Sequence, residues 1–246
     1  MDKMLYVVMS GARQIMTKQA TNNHNLANIN TTGFKADIDS FKALPVSGPG
    51  QQQAKVYSEG RRAGISHAPG SIMNTGRKLD IAVNGNGFIA VQDVDGSEAY
   101  TRNGNLKVTE QGLLVTSSGH PVLGDGGPIT LTAYDDVQIG SDGTITVMPV
   151  GQAGGEIAVI DRIKLVNPDL ATVKRNQHGL FTTPAGQEAA DADVKLATES
   201  LESSNVNAVD ALVNMIELSR QYETQVKLMK EAKENDIASA KLLKFN

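Results

Sequence analysis

Where glycine and proline fall constrains this chain more than any other feature. All eight prolines lie between Pro45 and Pro184, and 22 of the 24 glycines lie between Gly48 and Gly186. Only Gly11 and Gly33 precede that span, and the 60 residues after Gly186 contain neither type. Both residues interrupt helices and punctuate turns. The middle of the chain therefore reads as β structure and both ends read as helix.

Helical periodicity runs from about Asp2, a suitable N-cap, to about Asn28. Leu5, Met9, Ala12, Met16, Gln19, Asn23 and Leu26 alternate spacings of four and three, which places them on one stripe. Val8 and Ile15 form a second apolar flank beside it. Gly33 is the natural left-handed turn after the helix. At the other end a helix is expected to start near Asn207, with Asp210 three residues on as a capping partner. Leu212, Met215, Ser219, Tyr222, Val226 and Met229 continue at three-four spacing, and Val209, Val213 and Ile216 widen that face. At 1.5 Å per residue this helix reaches on the order of 50 Å. A stripe that long needs another helix against it.

Between the ends, short alternating runs recur at Leu79–Val83, Phe88–Gln92, Glu98–Arg102, Leu113–Thr116, Ile129–Thr132, Thr144–Met148 and Ile157–Leu165. Asn84-Gly85-Asn86-Gly87, Asp95-Gly96, Asn103-Gly104 and Asp142-Gly143 separate them as turns. Residues 46–75, rich in Gly, Gln, Ser and Pro, read as an extended connector or irregular arm. The expected class is α+β: long N- and C-terminal helices pairing as a coiled-coil-like layer, with a central, mostly antiparallel β domain. The expected divisions are an N-terminal helix over 1–30, a connector over 31–78, a β-rich domain over 79–200 and a C-terminal helix over 201–246.

Composition excludes several function classes. The net charge of −4 argues against nucleic acid as the main partner, because phosphate binding needs a basic surface. The chain contains no cysteine, so disulfides, thiolate metal sites and Cys nucleophiles are out. Trp is absent and aromatics make up 4%, so the core must rest on Val, Ile, Leu and Met. No stretch approaches the roughly 20 apolar residues of a membrane span. The start, Met1 to Met9, is too short and too charged for a cleaved signal peptide, so any export is expected to proceed without one.

Candidate chemistry is sparse. His24, His67, His120 and His178 fall in four separate segments without metal-ligand spacing. Gly124-Asp125-Gly126-Gly127-Pro128 lacks a serine nucleophile and reads as a turn. Asp93-Val94-Asp95-Gly96 lacks the remaining ligands of a calcium loop. Asn84–Gly87 opens no helix, so it is not a phosphate loop. Asp135 and Asp136 are adjacent in an expected strand, where side chains point to opposite faces. No catalytic residue, metal site or cofactor is expected.

Three ordered blocks carry a resemblance. Asn25-Leu26-Ala27-Asn28-Ile29-Asn30-Thr31-Thr32-Gly33-Phe34-Lys35, after an N-terminal helix, resembles the signature of the flagellar rod and hook proteins. Ala99-Tyr100-Thr101-Arg102-Asn103-Gly104-Asn105-Leu106, continuing to Leu114-Val115-Thr116, resembles the family's central block. Leu201-Glu202-Ser203-Ser204-Asn205-Val206, then Met215-Ile216 and Arg220-Gln221-Tyr222-Glu223, resembles its C-terminal block. The Asp2…Leu5-Tyr6 start, Phe41 to Val46 and Gly124 to Ile129 resemble the proximal-rod members more than the distal-rod or hook members.

The resemblance implies a structural subunit of the bacterial basal-body rod, exported unprocessed by the flagellar type III apparatus into a shaft crossing the periplasm. The implied partners are other proximal and distal rod subunits and that export apparatus. The expected assembly surface comprises Leu5, Met9, Ala12, Met16, Leu26, Ala27, Asn28, Asn30, Gly33, Phe34, Asn205, Val206, Val209, Leu212, Met215, Ile216, Tyr222, Val226 and Met229. The alternatives are a distal-rod member of the same family and a secreted β-domain binding module.

Overall fold

The structure, a computed structural model, describes residues 2–45, 56–131, 133–150 and 157–243. Side-chain surroundings are described for these except residues 2–6, 40–45, 56–63, 236, 239, 240, 242 and 243. The chain forms two compact units. One comprises residues 1–28, 36–66 and 206–246, and the other 29–35 and 67–205.

The first unit holds α1 (Asp2–Ala27), the strands β1 (Asp37–Pro45) and β2 (Val56–Ile65), and α2 (Ala208–Leu243). Helix α1 ends where the sequence places its stop: the Asn28 amide still reaches the carbonyls of His24 and Asn25 at 3.3 and 3.1 Å. Helix α2 starts on Asn207, whose side-chain oxygen accepts from the Val209 amide at 2.9 Å and from the Asp210 amide at 3.5 Å. The two helices run antiparallel. Asn22 of α1 bonds to Ala211 near the start of α2, and Gly11 of α1 faces Gln225 further along it.

Between the helices in sequence, β1 and β2 pair antiparallel from Asp37↔Ile65 to Pro45↔Val56, with an irregularity at Ile38/Asp39. Within the stretch 46–75, read as an extended connector or irregular arm, Val56–Ile65 is a strand and Ile72–Asn74 is another. The first ten residues of that segment, 46–55, lie outside the described residues, as does Thr132.

The second unit is β-rich. Its strands are β3 (Ile72–Asn74), β4 (Ile81–Asn84), β5 (Phe88–Gln92), β6 (Glu98–Thr101), β7 (Leu106–Val108), β8 (Leu114–Thr116), β9 (Leu123–Gly124), β10 (Gly127–Pro128) and β11 (Tyr134–Ile139). They continue through β12 (Thr144–Pro149), β13 (Ala158–Arg162), β14 (Leu165–Val166), β15 (Lys174–Arg175), β16 (Phe181–Thr182), β17 (Lys195–Thr198) and β18 (Ser200–Glu202). The largest sheet has the order β14-β5-β6-β16-β15, β11-β12-β13 form a second, and the rest are two-stranded pairs. Every described pairing between these strands is antiparallel.

Ile81, Ile89, Leu106, Leu114, Val122, Ile129 and Ile145 are among the side chains that close the core of this unit, each at most 1% exposed. All but Leu106 and Val122 come from the alternating runs of the sequence, whose inward positions share one interior. The expected run Ile129–Thr132 contributes Ile129 and Leu131 to the core but forms no named strand among its described residues. Ile157–Leu165 is interrupted before Leu165, where the chain passes from one sheet to another.

Candidate assembly surface

Both helices carry two apolar flanks, and only one flank of each faces the partner helix within the chain. Among the described side chains of α1 the buried ones are Val8, Ala12 and Ile15. On α2, Ala211 is buried, and Met215, Leu218, Tyr222, Gln225 and Met229 are half-buried at three-four spacing. Gly11, Ala12 and Ala211 are small, and a Cβ at Gly11 would already lie 3.4 Å from Gln225 Oε1. Small residues on both helices let the two backbones approach closely.

This seam is offset by one position from the stripes expected from sequence. Ala12, Leu26, Met215, Tyr222 and Met229 lie on or beside it. Met9 and Met16 are instead 52% and 56% exposed, and Val209, Val213 and Ile216 are 67%, 57% and 57% exposed. Leu212 and Val226 belong to the same exposed flank. Ala27 and Asn30 are exposed, and Asn28 is half-buried with its side-chain Nδ2 donating to the His24 carbonyl at 2.9 Å. The Leu5 side chain lies outside those described.

The asparagines at the end of α1 bond to backbone. Asn22 Nδ2 donates to the Ala211 carbonyl at 2.8 Å. Asn25 pairs reciprocally with Asp37, its Nδ2 donating to the Asp37 carbonyl and its Oδ1 accepting from the Asp37 amide, both at 2.9 Å. The carboxamide thus acts as one rung of a ladder at the first residue of β1. His24 Nδ1 lies 3.1 Å from the Asp37 carboxylate.

Gly33, Phe34 and Asn205 are engaged inside the β-rich unit. The Asn205 amide donates to the Phe34 carbonyl at 3.2 Å, and the Phe34 ring lies 4.6 Å from the Arg175 guanidinium. Val206 is half-buried at the head of α2. Beside Gly33 and Asn205 sits a cluster that sequence reasoning passed over, although its members lie in the three family-like blocks. Glu202 Oε1 is 2.6 Å from Lys35 Nζ, and Glu202 Oε2 is 3.1 Å from Arg102 Nη1. The side chains of Glu202, Lys35 and Arg102 are 1%, 3% and 5% exposed, respectively. Burial lowers the Lys35 pKa, and the bond to Glu202 opposes that shift.

Elsewhere in this unit Glu98 accepts from Lys164 at 2.8 Å, and Asp93 accepts from Asn176 at 2.6 Å and lies 2.8 Å from His178 Nδ1. The Gly124–Pro128 segment is a tight hairpin of β9 and β10. Among the described residues no group of three or more His, Asp or Glu is placed to hold a metal ion. No helix of the described residues is long and apolar enough to cross a membrane.

A β-rich unit joined to a pair of terminal helices with exposed apolar flanks defines a class: the structural subunit, built for contact with other chains. Comparison with known proteins specifies which. Residues 82–147 match the flagellar hook protein FlgE/F/G D1 domain, and residues 197–242 match the flagellar basal body rod FlgEFG protein C-terminal family. The chain is 36% identical over 253 aligned residues to the flagellar basal-body rod protein FlgF of Salmonella typhimurium, covering 100% of both chains. It is 34% identical to FlgF of Caulobacter vibrioides over 93% of each chain. It is 29% identical to the rod protein FlgG of Bacillus subtilis over 93% of this chain and 94% of that one. The chain belongs to the flagellar basal-body rod protein family, and within it is most like FlgF. It is a structural subunit of the basal-body rod.

Proposed function

We propose that this subunit occupies the proximal rod and enters it through its terminal helices. The observation that carries this is the second apolar flank: Met9 and Met16 on α1, and Val209, Val213 and Ile216 on α2, face solvent beside a seam that is already closed. Helices packed on one side and apolar on the other are suited to a further layer of helices. In this reading the paired helices of neighbouring subunits form a coiled-coil-like layer. A heterologous contact that does not close generates a helical tube, the geometry of a shaft that passes torque through many repeated contacts. The partners are other proximal and distal rod subunits.

The same reading has the chain exported by the flagellar type III apparatus and placed in the periplasm-spanning part of the basal body, with no catalytic activity of its own. Similarity to FlgF along the full chain, against the lower identity to FlgG, supports the proximal over the distal position. The test is complementation of a strain lacking its proximal-rod gene with the wild-type chain and with Ile216→Asp. Restored rods and swimming with wild type, and neither with Ile216→Asp, are expected. Normal rods carrying Ile216→Asp would overturn the proposed surface.

A further inference from the structure

The chain passes between its two units at four points, after residues 28, 35, 66 and 205. At three of these points the bordering stretch of the β-rich unit has no regular structure: residues 34–35, 67–71 and 203–205 belong to no helix or strand. Their backbone groups need partners from somewhere. The Glu202 side chain supplies one of those partners directly and holds the lysine that supplies another.

Glu202 Oε1 accepts from Lys35 Nζ at 2.6 Å and from the Gly70 amide at 2.9 Å. Lys35 Nζ also donates to the Ala68 carbonyl at 2.9 Å, which accepts in turn from Asn205 Nδ2 at 3.0 Å. The main-chain carbonyl of Glu202 accepts from the Gly33 amide at 2.8 Å, and the Asn205 amide closes the set on the Phe34 carbonyl. Arg102 anchors the group to the unit. Its Nη1 donates to Glu202 Oε2 at 3.1 Å and its Nη2 to the Gly85 carbonyl at 2.7 Å, and its guanidinium lies 5.3 Å from the Phe88 ring. Segments 33–35, 68–70 and 202–205 are thereby fastened to one another and to the core sheet.

We propose that Glu202 is the keystone of a knot that holds these three connecting segments as a set, so that force on any one of them enters the β-rich unit through the same point. A buried carboxylate between two cations is a poor device for stability alone, because desolvation offsets much of the attraction, and apolar side chains of equal volume often serve as well. What it supplies is geometry. It has acceptor sites enough to bind a lysine, an arginine and a backbone amide at once. Each comes from a different part of the chain. That the knot carries force rests on the rod reading. That it fastens the three segments does not.

The test is hydrogen exchange followed by mass spectrometry on the full chain. With Glu202→Gln, residues 31–35, 67–71 and 203–206 are expected to lose protection together by about 100-fold, the scale for breaking a buried ion pair. Segments 88–92 and 114–116 should stay at the wild-type level. Lys35→Met leaves the Arg102 and Gly70 contacts of Glu202 in place, so its loss should be confined to residues 31–35 and 67–71, with 203–206 at the wild-type level. Unchanged protection in Glu202→Gln, loss in only one of the three segments, or an equal loss across the whole β-rich unit would each overturn the proposal. None of these outcomes depends on whether the chain assembles.

Discussion

The carboxamide of Asn22 reaches the main-chain carbonyl of Ala211 at 2.8 Å, joining two residues 189 positions apart in the chain. Apolar side chains along a helical seam tolerate small axial slips, whereas an amide bonded to one carbonyl does not. Asn22 therefore sets the register of α1 on α2. Asn22→Ala is expected to lower the stability of the helix pair by about 1 kcal/mol, the ordinary net value of such a bond. The loss should appear as earlier melting of the helical circular-dichroism signal, with exchange in the β-rich unit unaltered. An unchanged helical transition would show that the bond does not fix the register.

Gly33 combines a left-handed backbone with the absence of room. Its φ is +67°, and a Cβ there would lie 2.3 Å from the carbonyl carbon and oxygen of Arg102. Gly76 has nearly the same backbone, at φ +69°, but no atom lies within 4 Å of where its Cβ would stand. The pair separates strain from collision. Gly76→Ala should cost about 1 kcal/mol for the backbone alone. Gly33→Ala adds displacement of main chain next to the Glu202 knot and should cost more than about 3 kcal/mol. Urea unfolding of the two variants side by side measures the difference, and equal costs would contradict this account.

Stability should fall in two steps on acidification. Burial lowers the His67 pKa, the charges of Lys35 and Arg102 lower it further, and a backbone hydrogen bond at Leu170 opposes them. Below the ordinary histidine value of about 6.5 the unfolded chain then binds the proton first, so stability declines as pH drops from there to the folded value. The second step belongs to carboxylates. Hydrogen bonds from Thr144 hold Asp142 below its usual range, and a bond from Lys78 does the same for Asp136. Their contribution is present at neutral pH and is lost as pH falls below about 4. His67→Gln should flatten the melting-temperature profile in the window just below about pH 6.5 while leaving the steeper acid limb in place. A profile unchanged in the upper window would contradict the assignment to His67.

Much of this fold is legible in the sequence because glycine and proline act locally. Their distribution marks the β-rich middle, and Gly33 adopts the left-handed turn expected of it. The start of α2 is legible from the capping pattern of Asn207 and Asp210 rather than from glycine, since two strands lie between Gly186 and the helix. The hairpin of β1 and β2 is hidden because its strands lack a clear alternation and its ends flank a Gly- and Gln-rich stretch that reads as linker. The helix seam lies one position from the expected stripe because each helix has two apolar flanks, and periodicity alone does not say which one meets the partner. The small residues Gly11, Ala12 and Ala211 are the signal that could decide it. The Glu202 knot has no local signal at all. Lys35 and Glu202 are 167 residues apart, Arg102 and Glu202 are 100 apart, and charged residues are read by default as surface.

The two flanks of the helix pair make opposite predictions for the same kind of substitution. Ala12 and Ala211 are 6% and 5% exposed, so a glutamate at either must be buried or must push the helices apart. Ala211→Glu should therefore destabilise the helix pair in the isolated chain by about 3 kcal/mol or more. Met16 and Val213 are more than half exposed, and a charge there stays in water. Met16→Glu with Val213→Glu should leave the isolated chain within about 0.5 kcal/mol of wild type. In cells the double variant should nevertheless fail to enter rods, because the charges would be desolvated only on assembly. Thermal unfolding of each purified chain, set against its recovery in isolated basal bodies, separates folding from assembly. A stable double variant recovered at wild-type levels would remove these flanks from the assembly surface.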